Sequence, residues 1–183
     1  TSEVNCITCP PGTTSITIGA TTQSTCINCS IGKYRSASMN PGGTCTNCPL
    51  GQIALSGSSS CYPCSVGTYK SSGDICTNCT AGTYRDTPAG NNIASCIECV
   101  VGKYSSIYGS SSSQNCIDCP PGTTSSLSGA SSNLTCNYCP EGTYRSSSMN
   151  PGGSCTVCRP GTISTRGSSE CSLCPPGKYT SGN

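Results

Sequence analysis

Twenty cysteines in a chain of 183 residues are the side chains whose number and spacing could carry chemistry. All fall in CxxC pairs, ten of them, whose first members are Cys6, Cys26, Cys45, Cys61, Cys76, Cys96, Cys116, Cys136, Cys155 and Cys171. Such a pair can be a dithiol redox site, half of a four-sulfur zinc knuckle, or two halves of different disulfides. A redox pair needs a helix start in a βαβ frame, where the helix end lowers the thiol pKa. Ten evenly strung pairs with no 3.6-residue apolar stripe between them do not offer that setting. Zinc is the closer rival, because Cys6, Cys9, Cys26 and Cys29 meet the zinc-ribbon spacing of about 15–20 residues between two CxxC pairs. Carried through the chain it would give five all-cysteine sites, without a histidine and without basic runs for nucleic acid. Disulfides are therefore the preferred reading, and no metal or cofactor is expected.

The rest of the composition agrees. There is no Trp and no Phe, and the hydrophobic class reaches 33% only by counting cysteine. Ordering a residue costs roughly 1–2 kcal/mol of backbone entropy. Burial at about 25 cal/mol per Å² cannot offset this in a chain so rich in Ser, Thr, Gly and Asn, so crosslinks must stand in for a core. Charged residues are 9% and the net charge is +2, with the basic residues scattered singly, so no nucleic-acid surface is expected. No apolar run approaches the roughly 20 residues of a membrane span. The opening TSEVNC has no charged-then-apolar leader, as expected of a mature form or an excised piece.

Two periods organise the chain. Three residues after the second cysteine of every pair stands a glycine: Gly12, Gly32, Gly51, Gly67, Gly82, Gly102, Gly122, Gly142, Gly161 and Gly177. Two residues further comes Tyr or a β-branched residue, including Tyr34, Tyr69, Tyr84, Tyr104, Tyr144 and Tyr179. Above this lies a 110-residue period, since Cys6, Cys26, Cys45 and Cys61 return as Cys116, Cys136, Cys155 and Cys171. YRSASMNPGGTC (34–45) likewise returns as YRSSSMNPGGSC (144–155). Residues 1–110 read as one super-repeat of six small repeats, and 111–183 as a second, truncated one. Nothing caps either end, which suggests a slice of a longer array. PPG and NPGG suit type II turns, GTY and GKY suit short strands, and helix should be scarce.

Two disulfide patterns are open. In a ladder, the second cysteine of each pair closes onto the first of the next: Cys9–Cys26, Cys29–Cys45, Cys48–Cys61, Cys64–Cys76, Cys79–Cys96, Cys99–Cys116, Cys119–Cys136, Cys139–Cys155 and Cys158–Cys171. Cys6 and Cys174 then remain to pair with adjoining segments. In a block pattern, Cys6–Cys26 and Cys9–Cys29 close one module and the chain divides into five. The ladder is favoured because it makes all ten glycine-bearing repeats equivalent. Asn28, Asn78 and Asn133 meet the N-x-S/T rule for N-glycosylation.

CPPGTT and CPEGTY, each leading through about 15 residues to CxxC, and the last such string, CPPGKY, resemble the ephrin-receptor-like cysteine-rich repeat. A similar cadence runs through cysteine-rich surface proteins of protists such as ciliate surface antigens. The CxC of EGF modules is absent. The resemblance implies an extracellular, elongated, disulfide-linked rod and no enzyme.

The expected fold is thus small and disulfide-rich, an elongated tandem array of short β-hairpin/loop repeats with little or no helix. The expected function is an extracellular structural repeat protein, a disulfide-laddered rod in a filament, flagellar hair or cell-surface coat. Its partners would be copies of itself or adjoining repeats, with possible glycans. The alternative is a stalk or ligand-binding ectodomain segment of a surface receptor or antigen. The tyrosines are expected to cover neighbouring disulfides rather than stack ligands. Arg35, Arg85 and Arg145 are expected to be solvated rather than to bind anionic sugars. The seven scattered carboxylates form neither a calcium loop nor a catalytic pair.

Overall fold

The computed structural model of the chain describes residues 6–38, 43–148 and 153–180. It contains nine disulfides, and they follow the ladder: Cys9–Cys26, Cys29–Cys45, Cys48–Cys61, Cys64–Cys76, Cys79–Cys96, Cys99–Cys116, Cys119–Cys136, Cys139–Cys155 and Cys158–Cys171. Each closes one hairpin, numbered 1 to 9 below in that order. Sequence separations of 12 to 17 residues make short closed loops. The loop-entropy model gives each about 3 kcal/mol.

Every hairpin begins with a tight turn. In hairpin 1 the amide of Thr13 donates to the carbonyl of Pro10 at 3.1 Å, and Gly12 between them has φ +82°. A hydrogen bond across four residues with positive φ at the third is a type II turn, which only glycine enters without strain. The same bond recurs at Lys33, Gln52, Thr68, Thr83, Lys103, Thr123, Thr143, Thr162 and Lys178, and all ten glycines have φ between 72° and 86°. The second expected turn motif, NPGG at 40–43 and 150–153, lies mostly outside the described residues.

After the glycine the chain runs out for two or three strand residues and returns in a place the sequence did not advertise. The return strand is the two residues between the cysteines of the next CxxC. Thr13–Thr14 pairs with Ile27–Asn28, Lys33–Tyr34 with Thr46–Asn47, and Lys103–Tyr104 with Ile117–Asp118. Among the described residues nine two-stranded sheets arise in this way. The tips of hairpins 1, 5, 6 and 7 carry single 3₁₀ turns, and the described residues contain no α-helix.

The chain forms two compact units, residues 1–77 with 87–95 and residues 78–86 with 96–183. Inside the units, four pairs of consecutive hairpins, 2 with 3, 5 with 6, 6 with 7 and 8 with 9, are joined by the same three backbone hydrogen bonds. Between hairpins 6 and 7, Gly102 N–H donates to Ser125 O, Ser105 N–H to Ala130 O, and Gly129 N–H to Cys99 O, at 2.7, 3.0 and 2.8 Å. The set repeats between hairpins 2 and 3 through Gly32–Ala54, Arg35–Ser58 and Gly57–Cys29. The tips of hairpins 3, 4, 5, 7 and 9 also reach the turn of the hairpin two places earlier. A Cβ on Gly12 would strike Gly57 O, and one on Gly122 would strike Gly167 O. Arg166, beside that tip, lies 5.4 Å above the Tyr138 ring of hairpin 7. Two tips reach the same left-handed conformation without glycine, at Asp74 (φ 57°) and Ala89 (φ 62°).

What is buried follows from this stacking. The apolar residues out of solvent are Cys29, Cys64, Cys79, Cys99, Cys116, Cys119, Cys139, Ala54 and Ala130, joined by Ser105, Ser110 and Ser125. Large aliphatics lie outside, among them Ile18, Leu50 and Leu134.

Gly122 and Gly161 separate the two demands on the turn glycine. Both have positive φ, but only at Gly122 does a neighbouring hairpin occupy the Cβ position. Gly161→Ala should cost about 1–2 kcal/mol of left-handed strain. Gly122→Ala should cost at least about 1 kcal/mol more, because the Gly167 tip must move off its bond to Cys139 O. Native-state hydrogen exchange with the disulfides intact would measure both. Equal effects would remove the docking contribution.

Candidate functional site: joints, clamps and open ends

The CxxC is a joint. Its first cysteine closes one loop, its second opens the next, and its two middle residues complete the hairpin between them. The second cysteine is the buried partner: Cys29, Cys64, Cys79, Cys99, Cys119 and Cys139 are at most 2% exposed. In eight of the nine hairpins its amide donates to the carbonyl of the preceding turn glycine, as Cys29 N–H does to Gly12 O at 2.8 Å. Sulfur, amide and strand thus converge on one point. Threonine after the glycine adds to it: the hydroxyls of Thr13, Thr68, Thr83, Thr123, Thr143 and Thr162 each donate to the carbonyl that the turn amide already uses. The run of GT dipeptides was the available signal for this bond.

Arg35 and Arg145 overturn an expectation. They are 4% and 2% exposed, not solvated. Nη1 of Arg35 donates to the carbonyls of Cys9, Pro10 and Thr13 at 2.9, 3.3 and 3.1 Å. Nη1 of Arg145, 110 residues on, donates to those of Cys119, Pro120 and Thr123 at 2.7, 3.5 and 3.1 Å. Each arginine clamps the turn of the preceding hairpin, and carbonyl dipoles aimed at one nitrogen repay part of the cost of burying the charge. Nη2 of Arg145 lies 3.8 Å from Asp118, which also meets Lys103 at 3.1 Å. Backbone closes over the clamp, because a Cβ on Gly153 would strike its Nε. Arg85 is half-buried. In hairpins 3, 6 and 7 the clamp position is small, and Ala54, Ser105 and Ser125 fill it at 1% exposure.

The remaining candidate residues are dispersed. The side chains of Tyr34, Tyr69, Tyr84, Tyr104 and Tyr144 are half-buried and Tyr179 is exposed. The backbones of Tyr69, Tyr84 and Tyr104 form parallel bridges to Gly90, Ser110 and Ala130 in the following hairpin. Asp74 pairs with Lys70 at 2.6 Å, and Glu98 accepts from Ser128 at 2.7 Å. Among the described residues no group of three or more His, Cys, Asp or Glu could hold a metal ion. Nor is any described helix long and apolar enough to cross a membrane. Asn28 and Asn78 sit on return strands, each against a tip glycine: a Cβ on Gly57 or Gly109 would come within 3.2 or 3.0 Å of the Asn Cγ. Asn133 opens an exposed 3₁₀ turn. Cys6 and Cys174 carry free thiols, Cys6 exposed and Cys174 half-buried.

Turn, rung and return strand, repeated nine times, define a tandem disulfide-hairpin array whose recurring surfaces bind the next hairpin. Residues 87–136, which include hairpins 6 and 7 whole, match the model of the family described as Tyrosine-protein kinase ephrin type A/B receptor-like. That segment is similar to the ephrin-receptor-like cysteine-rich repeat, and its turn, rung and strand pattern recurs on both sides of it. No curated protein matches the chain. Disulfides persist in oxidising compartments. Nine of them together with the family match point to an extracellular or surface location for an ectodomain type of repeat.

The clamp has a direct test. Arg145→Met keeps volume but takes a charged donor from three carbonyls, of which Pro120 O keeps its turn bonds, and should destabilise the chain by roughly 2–4 kcal/mol. Protection should be lost first in hairpin 7, where those carbonyls lie. Arg159→Met, at an exposed turn position, should stay within about 0.5 kcal/mol of the parent. Hydrogen exchange resolved by peptide compares the two.

Proposed function

We propose that this chain is a structural repeat protein, a disulfide-laddered rod that forms part of an extracellular filament, flagellar hair or cell-surface coat. The observation that carries this reading is the junction. Hairpins 2, 5, 6 and 8 each present two backbone donors and one acceptor to the hairpin after them, in equivalent register. Identical contacts repeated head to tail build open arrays. The rungs suit such a load-bearing role, since a closed loop of about 15 residues cannot extend beyond its crosslink. The 110-residue period, 1–110 and then 111–183, supplies the longer repeat of the array, with the Arg35 and Arg145 clamps once in each.

The family match supports a second reading, a stalk or ligand-binding segment of a surface receptor or antigen, because the matched family is described by a receptor kinase. Electron microscopy of the secreted chain separates the two. Self-assembled filaments favour the first, and monodisperse particles at every concentration favour the second. Mass spectrometry tests the premise of both: reduction of the secreted chain should add about 2 Da for each of nine bonds. Bound zinc in place of that shift would overturn them together.

Sugars are part of the proposed surface, and the three sequons should differ. At Asn28 and Asn78 the middle residue of the sequon is a cysteine whose rung is buried, so glycan transfer competes with rung closure. Asn133 has neither constraint. Peptide mapping of the chain secreted from a eukaryotic cell should find the N-glycan at Asn133, and occupancy of Asn28 or Asn78 ahead of it would contradict the ranking.

A further inference from the structure

One acceptor recurs wherever two hairpins meet, the carbonyl of the second cysteine of a pair, and its donor changes along the chain. Five times the donor is the tip amide of the following hairpin: Gly57 N–H for Cys29 O, Ala89 for Cys64, Gly109 for Cys79, Gly129 for Cys99 and Gly167 for Cys139, at 2.7 to 2.9 Å. Between hairpins 1 and 2, and again between 7 and 8, it is Nη1 of Arg35 or Arg145. The arginine clamp thus stands in for a tip amide. The junction of hairpins 3 and 4 has neither.

Among the described residues no donor reaches Cys48 O, and the rest of the set is missing with it. The amides of Gly51 and Ala54 find no acceptor, whereas those at the same places in hairpin 6, Gly102 and Ser105, donate to Ser125 O and Ala130 O. Gly51 is buried and Ala54 is 1% exposed, so bulk water does not replace the lost bonds. A buried backbone group without a partner costs free energy that solvation recovers only on opening. Every other pair of consecutive hairpins keeps at least two hydrogen bonds. Side chains repeat the exception. Lys70 holds the clamp position of hairpin 4, three residues after Gly67 as Arg35 is after Gly32, but its Nζ turns to Asp74 of its own hairpin at 2.6 Å. At Gly12, Gly51, Gly82 and Gly122 the tip of the hairpin two places on presses a backbone carbonyl. At Gly32, tip 4 offers only the Asp74 carboxylate, whose side chain is 37% exposed.

We propose that the junction of hairpins 3 and 4 is a release point, which opens under load before any other described junction and closes again with every rung intact. Opening sets Cys48 O, Gly51 N–H and Ala54 N–H in water, where their hydrogen bonds are regained. At any other junction the same step breaks hydrogen bonds that the closed state already has. The rungs Cys48–Cys61 and Cys64–Cys76 hold each hairpin shut, and the CxxC joint between them carries the chain across. Length is therefore gained by undocking two hairpins and not by unravelling a loop. Local opening of this kind belongs to the least stable unit of a structure. A filament and a stalk would use it alike, so it stands under either reading of function.

Amide hydrogen exchange of the 183-residue chain, its nine rungs confirmed by peptide mapping, reads the opening. Corrected for intrinsic rates, Gly51 and Ala54 should exchange at least about tenfold faster than Gly102 and Ser105, a step of about 1.4 kcal/mol. Lys70→Arg with Asp74→Asn places a guanidinium at the clamp position and removes the carboxylate that would hold it, so Cys48 O gains a donor. Asparagine tolerates the left-handed φ of that tip. Exchange at Gly51 and Ala54 should then slow by at least about tenfold, with Gly102 and Ser105 unchanged. Optical tweezers pulling the chain by its two ends in oxidising buffer supply the second readout. The first reversible extension should occur with all rungs intact, and the double variant should lower its rate at fixed force by a similar factor. Glu141→Gln, at an exposed turn position of hairpin 8, should leave that rate as it is. Equal protection of the four amides in the parent chain would overturn the proposal, whatever the variant does. So would a first extension whose rate the double variant leaves unchanged, or one that requires a reductant.

Discussion

A sulfur–sulfur bond between the second cysteine of one pair and the first of the next is the contact on which the other contacts here depend. It fixes the two ends of a loop at a Cα separation of 5.5 to 5.9 Å, close to the spacing of paired strands. Two strand residues and a turn cannot hold such a geometry by themselves, since an isolated two-stranded hairpin is marginal in water. Once the rung holds it, the turn glycine, its amide and the CxxC return strand all face the next hairpin in a fixed arrangement. The contacts between hairpins are mostly backbone to backbone, and they leave most side chains out of the interface.

That division of labour explains an otherwise odd surface. Ile7, Ile18, Leu50 and Leu134 point outward because no layer of the structure has room for them. Among the described residues, those out of solvent are glycine, alanine, serine, cysteine, Thr123 and the two clamping arginines. Each guanidinium fits because it meets backbone oxygens, which the strongly turned CPPG segment gathers around one point. An aliphatic chain of the same length would offer those oxygens no donor.

Much of this was legible in the residues. Ten glycines at one offset from ten cysteine pairs have a single backbone explanation, and all ten carry the positive φ it requires. The equivalence of the repeats pointed to the ladder over five blocks. Other features were out of reach because they depend on neighbours distant in sequence. Arg35 looks like any isolated charge until hairpin 1 is placed beside hairpin 2. Asp74 and Ala89 give no sign that they take the left-handed conformation of tip glycines, since it is the following contact that selects it. The two residues inside each CxxC are too few to show a strand period, so their pairing emerges only from the closed loop.

An interior of sulfur, serine and alanine also shapes the response of this chain to temperature. The heat-capacity change of unfolding comes mainly from apolar surface newly exposed to water, and polar surface subtracts from it. Here the large aliphatics are already wet, and the crosslinks keep the unfolded chain from expanding. The heat-capacity increment per residue should therefore fall below the usual 12–15 cal/mol/K, a range set by proteins with buried aliphatic cores. A small increment flattens the dependence of folding free energy on temperature. Cooling then takes little away from a fold that owes so little to hydrophobic burial, and the array keeps nearly constant strength from cold water to warm.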